Sequence, residues 1–333
     1  MTSAARNDDA GFAQAGLTAI EGIRVGHASD YEGLTGCTVI LCEQGAVAGY
    51  DIRGAATGTE EFFLMSPEHL TQKIHAVVLA GGSAFGLEAA SGVRRYLEKR
   101  GVGFRTPAAT VPLVVAAIIY DLSIGSSAAR PTREMGEVAA ATAHSGPVAE
   151  GSVGAGTGAT VGKILGITHA MKSGLGTSAR RLAGQPGSVW VAALAVVNAF
   201  GDVRDPSTGK LLAGARRRPD SFELVDTAKL LASAGPAEVA QPFNTTLVVV
   251  ATDAQLTKPE ATRLAQMAAA GMARVLSPPW TQFDGDLVIA LSVGTKRADL
   301  NRLGIAAADA VAESILRAVQ LAHPHGGLPA LGG

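Results

Sequence analysis

The sequence predicts an α+β fold built in layers. Apolar runs of strand length alternate with long amphipathic helices along the whole chain, glycines punctuate them, and no repeat of roughly 20–50 residues breaks the pattern. The 333 residues, 47% hydrophobic and 17% charged, describe a well-buried globular protein, read as one domain.

The elements follow in chain order. Residues 1–15 read as a mobile arm, and residues 20–25, 36–41 and 46–51 as short strands separated by glycine. The apolar run over 75–80 is a strand that passes through Gly81-Gly82-Ser83 into a helix over 84–99. A second helix is expected after Pro112 through Tyr120 and a third over 133–144. The glycine-rich stretch 151–176 suits strands lying close to another backbone, and 188–198 is a strong strand. Residues 204–243 turn polar and irregular, with breaks at Pro206, Pro219 and Pro242 and a short helical signal over 224–232, and read as a mobile connector. From Thr245 onward the pattern is strand to 253, helix over 258–275, strand over 287–293 and helix over 302–321, with 322–333 as a loose tail.

Composition narrows the function. A net charge of −1 provides no field to recruit nucleic acid or an anionic membrane, and Arg216-Arg217-Arg218, beside Pro219, reads as a solvated run. No apolar segment is long enough to span a bilayer, and Asp8 and Asp9 stand where a signal peptide would be apolar, so a cytoplasmic location is the default. Cys37 and Cys42 are an odd number of residues apart, point to opposite faces of a strand and are expected to stay reduced. The seven histidines lack thiolate or carboxylate partners at ligand spacing, so neither a metal nor another cofactor is expected. Gly154-Ala155-Gly156-Thr157-Gly158-Ala159 fits a loose dinucleotide pattern but follows no apolar strand. Gly162-Lys163-Ile164 departs from a phosphate loop, because Thr157 stands where its first glycine belongs and Ile164 where a serine or threonine would hold magnesium. Lys163 therefore needs another role.

Asn244-Thr245-Thr246 opens the strand that follows the irregular stretch. A threonine there is a β-branched strand opener on one reading. On the other, cleavage of the Asn244–Thr245 bond would free an α-amine on the nucleophile's own residue, with an unperturbed pKa near ~7.7.

Several segments together resemble the family of L-aminopeptidases/D-esterases and β-peptidyl aminopeptidases, which includes the nylon-oligomer hydrolases. They are Gly26-His27, residues 79–90 around Gly81-Gly82-Ser83, Ile119-Tyr120-Asp121, Gly162-Lys163, Val197-Asn198, Asn244-Thr245-Thr246 and Asp284-Gly285-Asp286, in order over residues 17–320. The resemblance implies a four-layer αββα sandwich, shared with ornithine acetyltransferases and related to N-terminal-nucleophile hydrolases. It implies autocatalytic cutting into pieces 1–244 and 245–333 that stay together, and a homotetramer. It further implies Thr245 as nucleophile and amine base, Asn198 and Tyr120 as candidate oxyanion donors, Lys163 bonded to Thr245, and Asp284 and Asp286 either orienting both or receiving a substrate ammonium. The turn Gly81-Gly82-Ser83 is a candidate donor of backbone N–H groups to substrate. Relatives that carry histidines after the nucleophile strand and before the acidic pair differ here, where Ala268-Ala269-Ala270 and Trp280-Thr281 stand. Asn-Thr at the cut and Asp-Gly-Asp are similar to the nylon-oligomer branch, so the implied substrates are amides of small peptides or ω-amino acids. An aminopeptidase/D-esterase, an ornithine-type acyl transferase and a non-catalytic binding protein are the alternatives.

Overall fold

Two β-sheets share one long strand, and each carries a pair of helices on its outer face. The computed structural model describes residues 16–182, 188–233 and 243–332; the predicted arm over 1–15 and residues 234–242 of the predicted connector lie outside them. The nine-stranded arrangement uses β1 (Arg24–Asp30), β2 (Thr35–Ile52), β3 (Thr59–Glu60), β4 (Ile74–Ala80), β5 (Val114–Ile118), β6 (Leu175–Arg181), β7 (Trp190–Asn198), β8 (Thr245–Ala254) and β9 (Leu287–Lys296), in the order β6-β7-β8-β9-β2-β4-β5-β3 with β1 on β2.

The first half of β2 pairs with β1 and β4, and its second half, from Val47, pairs with β9, so one strand passes from sheet to sheet. Side chains alternate across each strand. Val77, Leu79, Val115, Leu194, Val196, Leu247, Val249, Leu287 and Ile289 fill the space between the sheets. Their neighbours Val191, Ala193, Val248, Val250 and Val288 face outward onto α4 (Lys258–Val275) and α5 (Leu300–Gln320). On the opposite outer face Val39, Val78, Val114 and Ala116 meet α1 (Ala89–Lys99) and α2 (Arg133–Ala141). This is the four-layer αββα sandwich. The entry to α4 is fixed by a capping box, in which the Thr257 hydroxyl accepts from the Glu260 N–H and the Glu260 carboxylate from the Thr257 N–H. Cys37 and Cys42 are buried, free and in different core layers. No helix among the described residues is long and apolar enough to cross a membrane.

Several expectations are corrected. The helix expected from Pro112 to Tyr120 is β5, a five-residue strand buried on both faces and parallel to β4; continuous apolar burial erases the alternation that distinguishes strand from helix. The strands expected over 36–41 and 46–51 are one strand with an irregularity between Leu41 and Ala46, and residues 20–25 only lead into β1. The 151–176 stretch is mainly turns and short 3₁₀ segments, with two-residue strands at Thr160–Val161 and Met171–Lys172. Within the connector, Leu211–Ala213 pairs with Asp202–Arg204, and α3 spans Thr227–Ser233. Arg216 is buried rather than solvated, donating to the carbonyls of Thr168 and Ala170, while Arg217 and Arg218 are exposed. The tail is docked: Ala322, Leu328 and Ala330 are buried and the Pro329 carbonyl accepts from the Lys172 N–H.

The segment from Thr245 onward supplies β8, β9, α4 and α5, and earlier residues flank it on both sides, so the two portions share one core. Lys258 adds a polar fastening, its buried Nζ donating to the carbonyls of Leu64 (2.8 Å), Ser66 (2.9 Å) and Thr71 (2.6 Å). Lys258→Met leaves these carbonyls without their donor and is expected to cost about 2–4 kcal/mol in urea unfolding. An unchanged midpoint and slope would show that the fastening contributes nothing.

Candidate active site

Strand register assembles the site. Antiparallel pairing of β7 with β8 sets Asn198 opposite Thr245, and parallel pairing of β8 with β9 brings Asn244 beside Asp284. The Asn244 N–H donates to the Phe283 carbonyl at 3.0 Å, and the Gly285 N–H donates to the Asn244 carbonyl at 2.7 Å. The Thr245 hydroxyl donates to that same carbonyl oxygen at 2.5 Å. Asn244, Thr245, Asp284 and Asp286 are all buried. A hydroxyl and a backbone N–H thus converge on one carbonyl in a site with little exposure to water.

The sequence led us to expect the two carboxylates to orient the Thr245 hydroxyl and the Lys163 amine directly; instead their hydrogen bonds fix the backbone around them. Asp284 accepts from the Phe200 N–H (3.1 Å) and from the N–H and hydroxyl of Thr281 (3.0 and 2.6 Å). Asp286 accepts from the Thr246 N–H (2.5 Å) and the Trp280 N–H (3.4 Å). Glycine between them is required by space: a Cβ on Gly285 would lie 2.7 Å from the Ala56 carbonyl oxygen and 2.9 Å from the Thr245 Oγ1.

Lys163 is bonded to Asn198 and its neighbour rather than to Thr245. Its Nζ donates to the Asn198 carbonyl (2.9 Å) and side-chain oxygen (2.8 Å) and to the Ala199 carbonyl (3.4 Å). Gly162, at φ +74, brings the chain so near Ala215 that a Cβ would sit 1.9 Å from its nitrogen. The Asn198 side-chain oxygen also accepts from the Thr160 N–H (3.1 Å), and its amide nitrogen donates to the Tyr120 carbonyl (2.9 Å). Tyr120 therefore contributes its backbone to the network, while its ring packs on Phe243 with centroids 5.3 Å apart. Beside these residues lies a cavity of about 190 Å³ lined in part by Tyr120, Asp121, Ile124, Lys163, Ile167 and Phe243.

The Gly81-Gly82-Ser83 turn offers no N–H to a substrate. Its three N–H groups already donate to the Gly36 carbonyl, the Asp121 carboxylate and the Ile119 carbonyl. Sequence reasoning missed the Gly285 N–H and Phe283 carbonyl, since a backbone donor has no letter of its own. It also missed Lys172, whose buried Nζ donates to the carbonyls of Thr157 (2.9 Å) and Ala159 (2.6 Å). The glycine between two acidic residues was the one available signal for the first.

Burial governs the charges. Desolvation pulls the Lys163 ammonium down to about 7, against the attraction of Asp284. Lys172 is drawn down to about 7 by desolvation too, opposed by Asp121. Desolvation raises the Asp284 carboxyl, with the Thr281 hydroxyl and then the Phe200 N–H opposing it. Asp286 is held well above the usual carboxylate range by burial and then by repulsion from Asp284. Among the described residues no group of three His, Cys, Asp or Glu side chains is placed to hold a metal ion.

Known proteins resemble this chain in sequence and in architecture. The chain is 39% identical to an uncharacterized aminopeptidase of Mycobacterium tuberculosis, over 94% of this chain and 96% of that protein. It is 31% identical to a 6-aminohexanoate-oligomer endohydrolase of a Kocuria species, over 90% of this chain and 84% of the other. Its fold matches the L-aminopeptidase D-Ala-esterase/amidase of Ochrobactrum anthropi, described as a variant of the Ntn hydrolase fold, with a TM-score of 0.72 at 22% identity over 95% and 88% of the two chains. A β-aminopeptidase of a Burkholderia species matches with a TM-score of 0.69 at 24% identity over 96% and 91% of the chains. The model of Peptidase family S58 matches residues 15–329, so the chain belongs to that family and is a hydrolase of amide bonds.

Proposed function

We propose that this chain is an autoprocessed N-terminal-threonine amidohydrolase acting through an acyl-enzyme. The convergence of the Thr245 hydroxyl and the Gly285 N–H on the Asn244 carbonyl oxygen carries this reading. In the uncut chain the Thr245 Oγ attacks the Asn244 carbonyl carbon while the Gly285 N–H receives the developing oxyanion. The C–N bond breaks, the threonine nitrogen takes the proton, and an ester remains. Water hydrolyses that ester, giving a carboxylate on Asn244 and a free amine on Thr245, so the pieces are 1–244 and 245–333.

In the mature enzyme the same Oγ attacks a substrate amide, and the Thr245 amine accepts the hydroxyl proton and passes it to the leaving amine. Water then releases the acyl group. Asn198, with one amide N–H on the Tyr120 carbonyl, has a second to turn toward the oxyanion. Lys163 holds Asn198 in place, and its positive charge favours the neutral form of the threonine amine. The names of the relatives support amide bonds of peptides or of ω-amino-acid oligomers as the substrate class.

Intact mass under denaturing conditions tests the function. Wild type is expected to give two fragments divided at Asn244/Thr245, and Thr245→Ala one uncut chain of 333 residues. A full-length wild-type mass after prolonged incubation would refute the nucleophile.

Lys163 predicts a pH dependence. Its three contacts are all acceptors, which the ammonium satisfies and the neutral amine cannot. The charged form persists below its pKa of about 7, so self-cutting is expected to slow as pH rises through that value. Lys163→Arg keeps its charge and should remove this alkaline limb, in a time course of fragment appearance. A wild-type rate independent of pH across that interval would show that the Lys163 charge plays no part in self-cutting.

A further inference from the structure

The Asn198 side-chain amide is clamped from two sides by backbone. Its oxygen accepts from the Thr160 N–H (3.1 Å) and its nitrogen donates to the Tyr120 carbonyl (2.9 Å), so turning the amide over would set oxygen against oxygen and N–H against N–H. The plane of the amide is fixed, and with it the direction of the second N–H. Neither Thr160 nor Tyr120 lies in a long strand, since Thr160 belongs to a two-residue strand and Tyr120 follows the end of β5. What holds these two short segments decides where that N–H points.

Two buried ionisable residues that the proposed reaction does not use hold them. Lys172 faces Thr160 across a short antiparallel pair, and its Nζ donates to the carbonyls of Thr157 (2.9 Å) and Ala159 (2.6 Å), on either side of Gly158. Asp121, next to Tyr120 in the chain, accepts from the Gly82 N–H (2.6 Å) and the Thr35 hydroxyl (2.8 Å). The two segments meet at Gly158: a Cβ there would lie 2.7 Å from both Cβ and Oδ2 of Asp121, and one on Gly81 would lie 2.0 Å from the same Oδ2. The Asp121 carboxylate is thus wedged between two glycines, one from each side. Both side chains are buried, and the attraction of Asp121 opposes the desolvation that lowers the Lys172 ammonium to about 7.

We propose that Asp121 and Lys172 are positioning residues that act through Asn198. They lock the Tyr120 carbonyl and the Thr160 N–H, and this clamp aims the remaining Asn198 N–H at the oxyanion of the substrate amide. The inference rests on Asn198 being an oxyanion donor in the proposed reaction, and it deepens that reading. It also gives the Gly81-Gly82-Ser83 turn a function, because Gly81 leaves room for the Asp121 carboxylate and the Gly82 N–H holds it.

Kinetics of full-length, self-processed protein test this, with Ala-4-nitroanilide and 6-aminohexanoyl-4-nitroanilide as probes. Lys172→Met removes the donor at nearly constant volume and is expected to lower kcat roughly 10- to 100-fold, the loss from a misaimed transition-state donor, with KM within about twofold of wild type. Asp121→Asn keeps the shape and an acceptor for the Gly82 N–H, and should lower kcat by at least about threefold in the same way. In an Asn198→Ala background, where the donor they position is gone, each change should alter kcat by less than about twofold. A kcat near that of wild type in either variant, a rise in KM alone, or the full loss repeated in the Asn198→Ala background would each overturn the clamp, the last by showing a structural role only. If Lys172→Met does not fold, Asp121→Asn decides on the same criteria. An Asn198→Ala protein as active as wild type would overturn the clamp while leaving the Thr245 mechanism intact. Wild type that fails to cut itself, or to hydrolyse either probe, would overturn the proposed amidohydrolase and the clamp with it.

Discussion

The Asn244 carbonyl sits between the Gly285 N–H and the Thr245 hydroxyl, and the rest of the site is arranged around keeping it there. The first contact requires β8 and β9 to run parallel in one register. The second joins neighbouring residues, and the pairing that sets Asn198 opposite Thr245 fixes where in the fold it is made. A slip of one residue would turn Thr245 to the other face of the sheet and take the nucleophile out of the site. The alternating cores on either side of β7, β8 and β9 resist that slip, so burial far from the chemistry fixes the attacking geometry.

Burial also explains the choice of polar residues. A buried N–H without a partner costs about as much as a lost hydrogen bond. Here the turn after β7, the start of β8 and the loop over 280–286 present N–H groups at Phe200, Thr246, Trp280 and Thr281, and Asp284 and Asp286 accept them. The carboxylates hold the scaffold and act on Lys163 only through space. Lys163 in turn acts through Asn198, whose side-chain oxygen it shares with Thr160. A chain of neighbours, each satisfied by the next, delivers a rigid hydroxyl without a charged group in direct contact with it.

How much of this was legible in the sequence depends on whether a feature is a side chain or a backbone group. Lys163, Asn198, Thr245 and the pair Asp284 and Asp286 come from separate parts of the chain, and the structure brings them into one buried cluster. Residues 245–321 read well because α4 and α5 each have one polar face and clear caps at Thr257 and Asp299. The run Val114–Ile118 misled because both faces are buried, and the paired contacts of Lys163 and Tyr120 misled because residue type does not reveal whether a ring, an amine or a carbonyl will do the bonding. The Gly285 N–H was invisible for the same reason.

The most direct measurement of the central claim removes that single N–H while keeping every side chain. Replacing Gly285 with its α-hydroxy counterpart, by cell-free translation, turns one amide into an ester and deletes the donor to the Asn244 carbonyl. The rate of fragment appearance is predicted to fall about 100-fold, the loss typical of one missing oxyanion donor. An ester-bearing chain that cuts itself as fast as wild type would contradict the account.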